Sequence, residues 1–261
     1  MTQVQTKYFT CSMKLSIIIP AFNEELYLKN CLNSVFAELK DSNKEVEVIV
    51  VNNASTDSTR EIALTFPKVI LVDEKEKGLT KARKAGYLIS TGDLIANVDA
   101  DNVLPTGWIE KVFAEFAKHK KLVGLSGPYV FYDMSKFDNL QVRLFYYLGY
   151  IAYLFNHFIF RKGGMLQGGN FVVKRTALEE IGGYDTNILF YGEDADIARR
   201  LQKTGYMKFT FGLPMLSSGR RLTNEGILIA GYKYAANYFS ILFFKKPYAK
   251  NASHAEYINF R

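Results

Sequence analysis

The chain has 261 residues, enough for one large domain or two small ones with a sizeable core. Hydrophobic residues at 48% and charged residues at 23% exclude collagen, a coiled coil and a disordered tail. The net charge of +7 is uneven: residues 195–261 hold 11 Lys/Arg against 3 Asp/Glu, a net +8 that leaves −1 for residues 1–194, so an anionic partner is expected at the C-terminal quarter.

In chain order, Leu15–Ile19 is a short β-branched run bounded by Pro20. Leu28, Leu32, Val35, Phe36 and Leu39 then recur at helical spacing, which sets one strand–helix unit. The pattern repeats with a strand over Val46–Val51, a helix from Ser58 with Glu61 completing a capping box, a strand over Val69–Val72 and a helix over Leu79–Ile89. A strand over Leu94–Val98 and a helix from Pro105 to Lys118 follow. Such alternation predicts an α/β fold, a mostly parallel sheet flanked by helices on both faces. The second half is less regular: a strand within Leu122–Phe131, a strand at Asn170–Val173, a helix over Asp194–Lys203 and a strand at Met207–Phe211. No linker rich in Pro, Gly or Ser interrupts it, so one continuous domain is expected.

In open sheets of this kind ligands bind beyond the carboxyl ends of the strands. Asn23-Glu24 follows the first strand, Asn52-Asn53 the second and Asp99-Ala100-Asp101 the fourth. Two carboxylates at a strand end repel unless a cation lies between them, and hard oxygen ligands suit Mg²⁺ or Mn²⁺; the same two acids also fit a solvated turn. Glu193-Asp194, with Asp196 beyond, opens a helix as dipole partners or as a general base, and the turns at Gly182-Gly183-Tyr184-Asp185 and Gly192 could bring them toward a cleft. Ser217-Ser218-Gly219-Arg220-Arg221 offers hydroxyls and guanidiniums suited to diphosphate oxygens, or a basic turn. Gln167-Gly168-Gly169-Asn170 allows close backbone approach to a ligand, or a glycine-rich entry to a strand, and Lys81 and Arg83 are phosphate contacts or an exposed helix face.

Taken together, Ile17 to Glu25, Asn53-Ala54-Ser55-Thr56-Asp57, Gly78 through Gly86 with Ala82-Arg83, Thr91-Gly92-Asp93, Asp99-Ala100-Asp101, Gly182 to Asp185 and Gly192-Glu193-Asp194 resemble the ordered motifs of glycosyltransferase family 2. The resemblance covers about Met13 to Arg221. It implies a GT-A fold over residues 13–221, a nucleoside-diphosphate sugar donor and inversion at the anomeric carbon. It further implies that Pro20, Ala21, Phe22 and Glu24 line the nucleotide, Asn53 and Asp57 sit near the base, Asp99 approaches the ribose and Asp101 binds the metal. By the same resemblance Asp194, preceded by Glu193, deprotonates the acceptor hydroxyl, and Arg83, Arg220 and Arg221 are donor contacts. The chain departs from many relatives in carrying Asn52-Asn53 where an Asp pair is common, and in placing His254 far beyond the motifs.

Aromatics reach 15%, with Tyr 17 and Phe 20 against Trp 1. Leu144–Phe155 is uncharged but shorter than the roughly 20 residues of a spanning helix. Its Tyr146, Tyr150 and Tyr153 recur at helical spacing and fit a buried core helix, or a stripe facing acceptor or lipid. Ile227–Phe244 ends at Lys245-Lys246, so residues 222–261 are expected to be a basic, aromatic helical extension in peripheral contact with anionic lipid. Cys11 and Cys31 cannot build a disulfide framework and no leader opens the chain, so the expected location is cytoplasmic, at the inner face of a membrane. The acceptor is then a glycan or a lipid-linked molecule. A non-catalytic nucleotide-sugar-binding or membrane-scaffolding module and a sugar nucleotidyltransferase are the rival readings, while the basic segment lacks a nucleic-acid-binding module.

Overall fold

A computed structural model describes residues 13–40, 42–155, 164–188 and 192–244. The expectations placed on residues 1–12, Lys245-Lys246 and His254 lie outside these residues. The first half follows the expected alternation as β1 (Lys14–Ala21), α1 (Leu28–Lys40), β2 (Glu45–Asn53), α2 (Thr59–Leu64), β3 (Val69–Glu74), α3 (Leu79–Ile89), β4 (Leu94–Val98) and α4 (Trp108–Lys118). The second half adds β5 (Leu122–Ser126), β6 (Tyr129–Phe131), α5 (Lys136–Phe155), β7 (Asn170–Lys174), α6 (Arg175–Glu180), α7 (Glu193–Leu201), β8 (Tyr206–Phe209), β9 (Met215–Ser217), α8 (Arg220–Glu225) and α9 (Ile227–Phe244).

Seven strands form one sheet in the order β3-β2-β1-β4-β7-β5-β8, parallel throughout except that β7 runs antiparallel to β4 and β5. β1 is almost wholly apolar because both its faces are covered. Leu15, Ile17 and Ile19 point into a core closed by Leu28, Leu32 and Val35 of α1 and Trp108, Val112 and Phe116 of α4. Ile18 points the other way, into a core shared with Ala82 of α3, Leu178 of α6 and Ile197 and Leu201 of α7. The period of two thus divides one strand between two helical layers.

Four local expectations are corrected. The strand expected within Leu122–Phe131 is two, because at Gly127 the chain passes so close to the Leu213 carbonyl that a Cβ would overlap it; β6 leaves the main sheet and pairs in parallel with β9. The Ser58–Glu61 capping box does not form, and Asp57 Oδ1 instead accepts the Thr59 amide at 3.0 Å while Glu25 Oε2 accepts that of Ser58 at 3.1 Å. α4 begins at Trp108, after a turn ending at left-handed Gly107 (φ 83°), rather than at Pro105. α5 is not a core helix: only Val142 and Tyr153 are buried, and the tyrosine stripe is turned inward, Tyr146 and Tyr150 packing on Phe209 while the Tyr146 hydroxyl donates to Gln167 Oε1 at 2.8 Å. No described helix is long and apolar enough to cross a membrane.

Opposite the ligand-binding strand ends, Glu47 accepts from the Ser16 hydroxyl (2.5 Å), the Thr91 amide (2.6 Å) and Lys14 (3.1 Å). Partial burial alone would raise its carboxyl, but these bonds hold it at about 2. Because the folded value lies below the unfolded one, this stability is present above the ordinary carboxylate range and lost as pH falls toward 2. Glu47→Gln is expected to remove roughly 1–2 kcal/mol at pH 7, after allowance for solvent screening, and less at pH 3, measured as the difference between urea midpoints of wild type and variant.

Candidate active site

The loops at the carboxyl ends of β1, β2 and β4 converge, and the one after β1 is held open by unusual backbone. Asn23 adopts φ 53°, its Oδ1 accepts the Thr56 amide at 2.8 Å, and the Glu24 amide donates to Thr59 Oγ1 at 2.7 Å. Glu24 is thereby fixed in a buried position facing Arg220 at the start of α8. Arg220 Nη2 lies 2.7 and 2.9 Å from the two Glu24 oxygens and 3.1 Å from Asp101 Oδ2, and its guanidinium covers the Tyr27 ring at 4.4 Å. Three acids crowd this wall: burial first, then Asp101, Asp99 and Glu24, push the Cys31 thiol far up.

A second guanidinium lies deeper. Arg83 of α3 is 1% exposed; its Nη1 meets Glu193 Oε1 at 3.0 Å, and its Nη2 meets Asp99 Oδ1 at 3.3 Å and the Gly168 carbonyl at 2.7 Å. Burial alone would weaken its charge, but Glu193 and Asp99 hold it protonated. The other Asp99 oxygen accepts from the Tyr129 hydroxyl at 3.1 Å, which itself accepts the Gly169 amide at 2.7 Å. A Cβ at Gly169 would overlap both the Asp99 carboxylate and the Tyr129 hydroxyl, so the close approach expected of this glycine pair is made to protein acids.

Glu193 and Asp194 open α7 after left-handed Gly192 (φ 90°). Burial, then the adjacent Asp194, push the Glu193 carboxyl up against the pull of Arg83. Burial also raises Asp194, although its Oδ1 accepts the Ala195 amide at 2.7 Å. A Cβ on Gly168 would lie 3.3 Å from Glu193 Oε1 and 3.8 Å from Asp194 Oδ2, which sets the Gly168-Gly169 turn against the acid pair on one side and Asp99 on the other.

The remaining expected site residues are arranged differently. Pro20 and Ala21 end β1, and Phe22 is buried with Lys77 over its ring at 4.7 Å. Asn53 is bound into the neighbouring turn, donating to the Glu74 and Glu76 carbonyls and accepting the Gly78 amide at 2.8 Å. Asp57 ties two loops together through the Glu25 and Thr59 amides. Arg221 turns away from Arg220 to pair with Glu225 at 3.1 Å, and Lys81 pairs with Glu76 at the surface. Tyr129, Tyr27 and Asp133, whose carboxylate accepts the Ser218 hydroxyl and the Gly219 amide at the head of α8, escaped the sequence analysis because they stand outside any motif.

Among the described residues no three His, Cys, Asp or Glu side chains converge as a ready-made metal cage. Mg²⁺ and Mn²⁺ beside a diphosphate need only one or two carboxylates, the rest being phosphate oxygens and water. Asp101 fits that role, since its carboxylate already faces a cationic group. Asp99 has both oxygens engaged by Arg83 and Tyr129.

A mostly parallel sheet with helices on both faces, and paired acids beyond its strand ends, defines an open α/β fold of the kind that binds ligands at the carboxyl ends of its strands. The Glycosyl transferase family 2 description matches residues 16–182, and the chain belongs to that family. It is similar to the glycosyltransferase AglE of Haloferax volcanii, 28% identical over 74% of this chain and 62% of that protein, and to the glycosyltransferase GlyA of Streptococcus pneumoniae, 27% identical over 45% of this chain and 17% of that protein. The chain thus spans less than two thirds of these relatives. In fold it is similar to the mannosyltransferase PcManGT from Pyrobaculum calidifontis in complex with GDP-Man and Mn²⁺, with a TM-score of 0.68 and 20% identity over 88% of this chain and 64% of that one. The architecture is of GT-A type.

Replacing Arg83 by Met keeps bulk but leaves Glu193 and Asp99 without their shared cation, at an expected cost of about 3–5 kcal/mol at neutral pH. The Glu193 carboxyl, already raised, would rise further, so the deficit should shrink as pH falls through its titration. Denaturant midpoints of wild type and Arg83→Met between pH 5 and 8 check this. A deficit independent of pH would contradict the ionic bridge.

Proposed function

We propose that the protein is a metal-dependent, inverting glycosyltransferase that moves a sugar from a nucleoside-diphosphate donor to a hydroxyl of a glycan or lipid-linked acceptor, at the cytoplasmic face of a membrane. Residues 13–221 are the catalytic domain and residues 222–261 an extension of it. The observation that carries this reading is the Arg83 bridge, which joins Asp99 beside Asp101 to Glu193 beside Asp194 across a single buried guanidinium. A donor bound at the first acid pair would have its anomeric carbon within reach of a base at the second.

In the reaction the acceptor oxygen attacks the anomeric carbon from the face opposite the diphosphate. The carbon–oxygen bond to the phosphate breaks, its electron pair leaves with the nucleoside diphosphate, and the hydroxyl proton passes to Asp194. Burial that raises Asp194 brings its basicity closer to that of the proton it must take. Arg83 acts through Glu193 and Asp99 as a positioning residue. The diphosphate would compete with Glu24 and Asp101 for Arg220, a planar donor suited to phosphate oxygens. A divalent cation held by Asp101, with Asp99 alongside, would neutralise charge on the leaving diphosphate. The relationship to PcManGT, crystallised with GDP-Man and Mn²⁺, supports both the donor class and the metal.

Asp194→Asn should lower turnover by about 10²–10⁴ while nucleoside diphosphate affinity changes little, and Glu193→Gln, which keeps an acceptor for Arg83, should cost less. The rate should fall as pH drops through the raised Asp194 titration, a limb that Asp194→Asn would lose. Near-wild-type turnover in Asp194→Asn would exclude it as base and leave either Glu193 as the base or a phosphate acceptor, which needs none. Release of pyrophosphate rather than nucleoside diphosphate would make the protein a nucleotidyltransferase.

Thermal shifts with UDP, GDP and dTDP, each with and without Mn²⁺, test the donor half separately. Stabilisation should require the cation in wild type, and this requirement should vanish in Asp101→Ala. Equal binding in EDTA would overturn the metal assignment.

A further inference from the structure

Soluble helices ordinarily bury their apolar stripe and expose their polar one. α5 exposes an apolar row: Phe137, Leu140, Leu144, Leu148 and Ile151 follow one another at intervals of three and four residues, and Leu144, Leu148 and Ile151 are 58%, 54% and 61% exposed. Tyr146, Tyr150 and Tyr153 face inward, so the helix carries apolar side chains on both faces, and Leu144, Leu148 and Ile151 are left to solvent in the described fold. α9 repeats the arrangement with Leu228, Ile229, Phe239 and Phe243, each more than 40% exposed.

These helices belong to one platform. Val142 and Tyr146 of α5 share a small core with Leu222 of α8 and Ile227 and Ala230 of α9. At Gly231 the approach is close enough that a Cβ would sit 3.3 Å from the Phe145 ring. The platform also reaches the candidate site: Ile241 of α9 is seated so tightly on Gly192, the residue before the acid pair, that a Cβ at Gly192 would overlap it.

Charge decides what covers this face. α5 carries one acid, Asp138 in its first turn, and no Asp or Glu over residues 139–155, and α9 carries no Asp or Glu. Arg143 is exposed beside the apolar row of α5, and Lys245, Lys246 and Lys250 follow α9 in the chain. An ordinary protein partner would be met by a rim of mixed sign. Apolar rows on helices whose charges beyond Asp138 are all basic fit a layer of hydrocarbon roofed by negative headgroups.

We propose that the exposed rows of α5 and α9 dock the protein on an anionic lipid bilayer without crossing it, bringing Glu193 and Asp194 beside molecules carried on that surface. The proposal deepens the glycosyltransferase reading by naming the surface on which its acceptor side meets a membrane.

The test is sedimentation of the full chain with vesicles of phosphatidylcholine alone or with phosphatidylglycerol, for wild type and for a Leu144→Gln/Leu148→Gln/Ile151→Gln variant. Wild type should partition onto the anionic vesicles about tenfold or more better than onto neutral ones and be partly released by salt, and the variant should lose about tenfold or more. The replaced side chains are exposed, so an unchanged thermal midpoint shows that the variant is folded. Absence of binding at low salt, or equal binding by the variant, overturns the proposal. So does a wild-type dimer that the variant dissociates while neither binds vesicles, because a second copy would then cover the face. Nucleoside diphosphate binding, followed in the same preparations by thermal shift, separates this from the glycosyltransferase reading: vesicle binding without nucleotide binding would contradict that reading and leave the platform standing.

Discussion

A guanidinium withdrawn from water has to be compensated by carboxylates within hydrogen-bond reach, and Arg83, fixed on α3 behind the sheet, imposes that constraint on everything around it. It draws Asp99 from the end of β4 and Glu193 from the start of α7, residues far apart in the chain, to opposite ends of one fork. The Gly168-Gly169 turn then has to pass without side chains between the two acids, with its carbonyl on Arg83 and its next amide on Tyr129. A well-packed apolar cluster would hold these elements together at least as firmly as a buried ion pair. The bridge is therefore better understood as a device that fixes the distance between two acidic sites than as a source of stability.

Arg220 compensates the other acids differently. It is about a fifth exposed, rests on Glu24 and Asp101 from a six-residue helix, and stacks on Tyr27. One acidic region thus contains a cation locked in place and a cation at its rim. Compensation at the rim is open to exchange for another cation or for a phosphate partner, because Arg220 is partly exposed; an exchange at Arg83 would strand charges in the interior. In the proposed reaction this asymmetry would give donor binding a place to begin while the spacing of the acids stays constant.

The sheet was legible because its strands are short β-branched runs followed by helical spacing, and α3 and β4 have the bounds expected of them. Patterns depending on contacts distant in sequence were not legible. Nothing local indicates that Gly127 abuts the Leu213 carbonyl and so ends a strand, or that Asp57 rather than Ser58 caps α2. At the site, the acids stood out as motifs, but the partner of each did not: Arg83 has the composition of an exposed helix face, and Tyr129 is one tyrosine among 17. The tyrosine stripe of α5 was visible as a period, yet period alone cannot tell which face of an all-apolar helix turns inward.

In the proposed reaction the donor diphosphate enters at Asp101 and Arg220 while the Arg83 bridge holds the second acid pair in place. A crystal structure of the protein grown with Mn²⁺ and the nucleoside diphosphate that stabilises it most tests this directly. The expected result is the cation on Asp101, Arg220 turned from Glu24 onto phosphate oxygens, and Arg83 still bound to Asp99 and Glu193. A nucleotide bound away from Asp101, or an Arg83 that leaves Glu193 to hold the diphosphate itself, would contradict it.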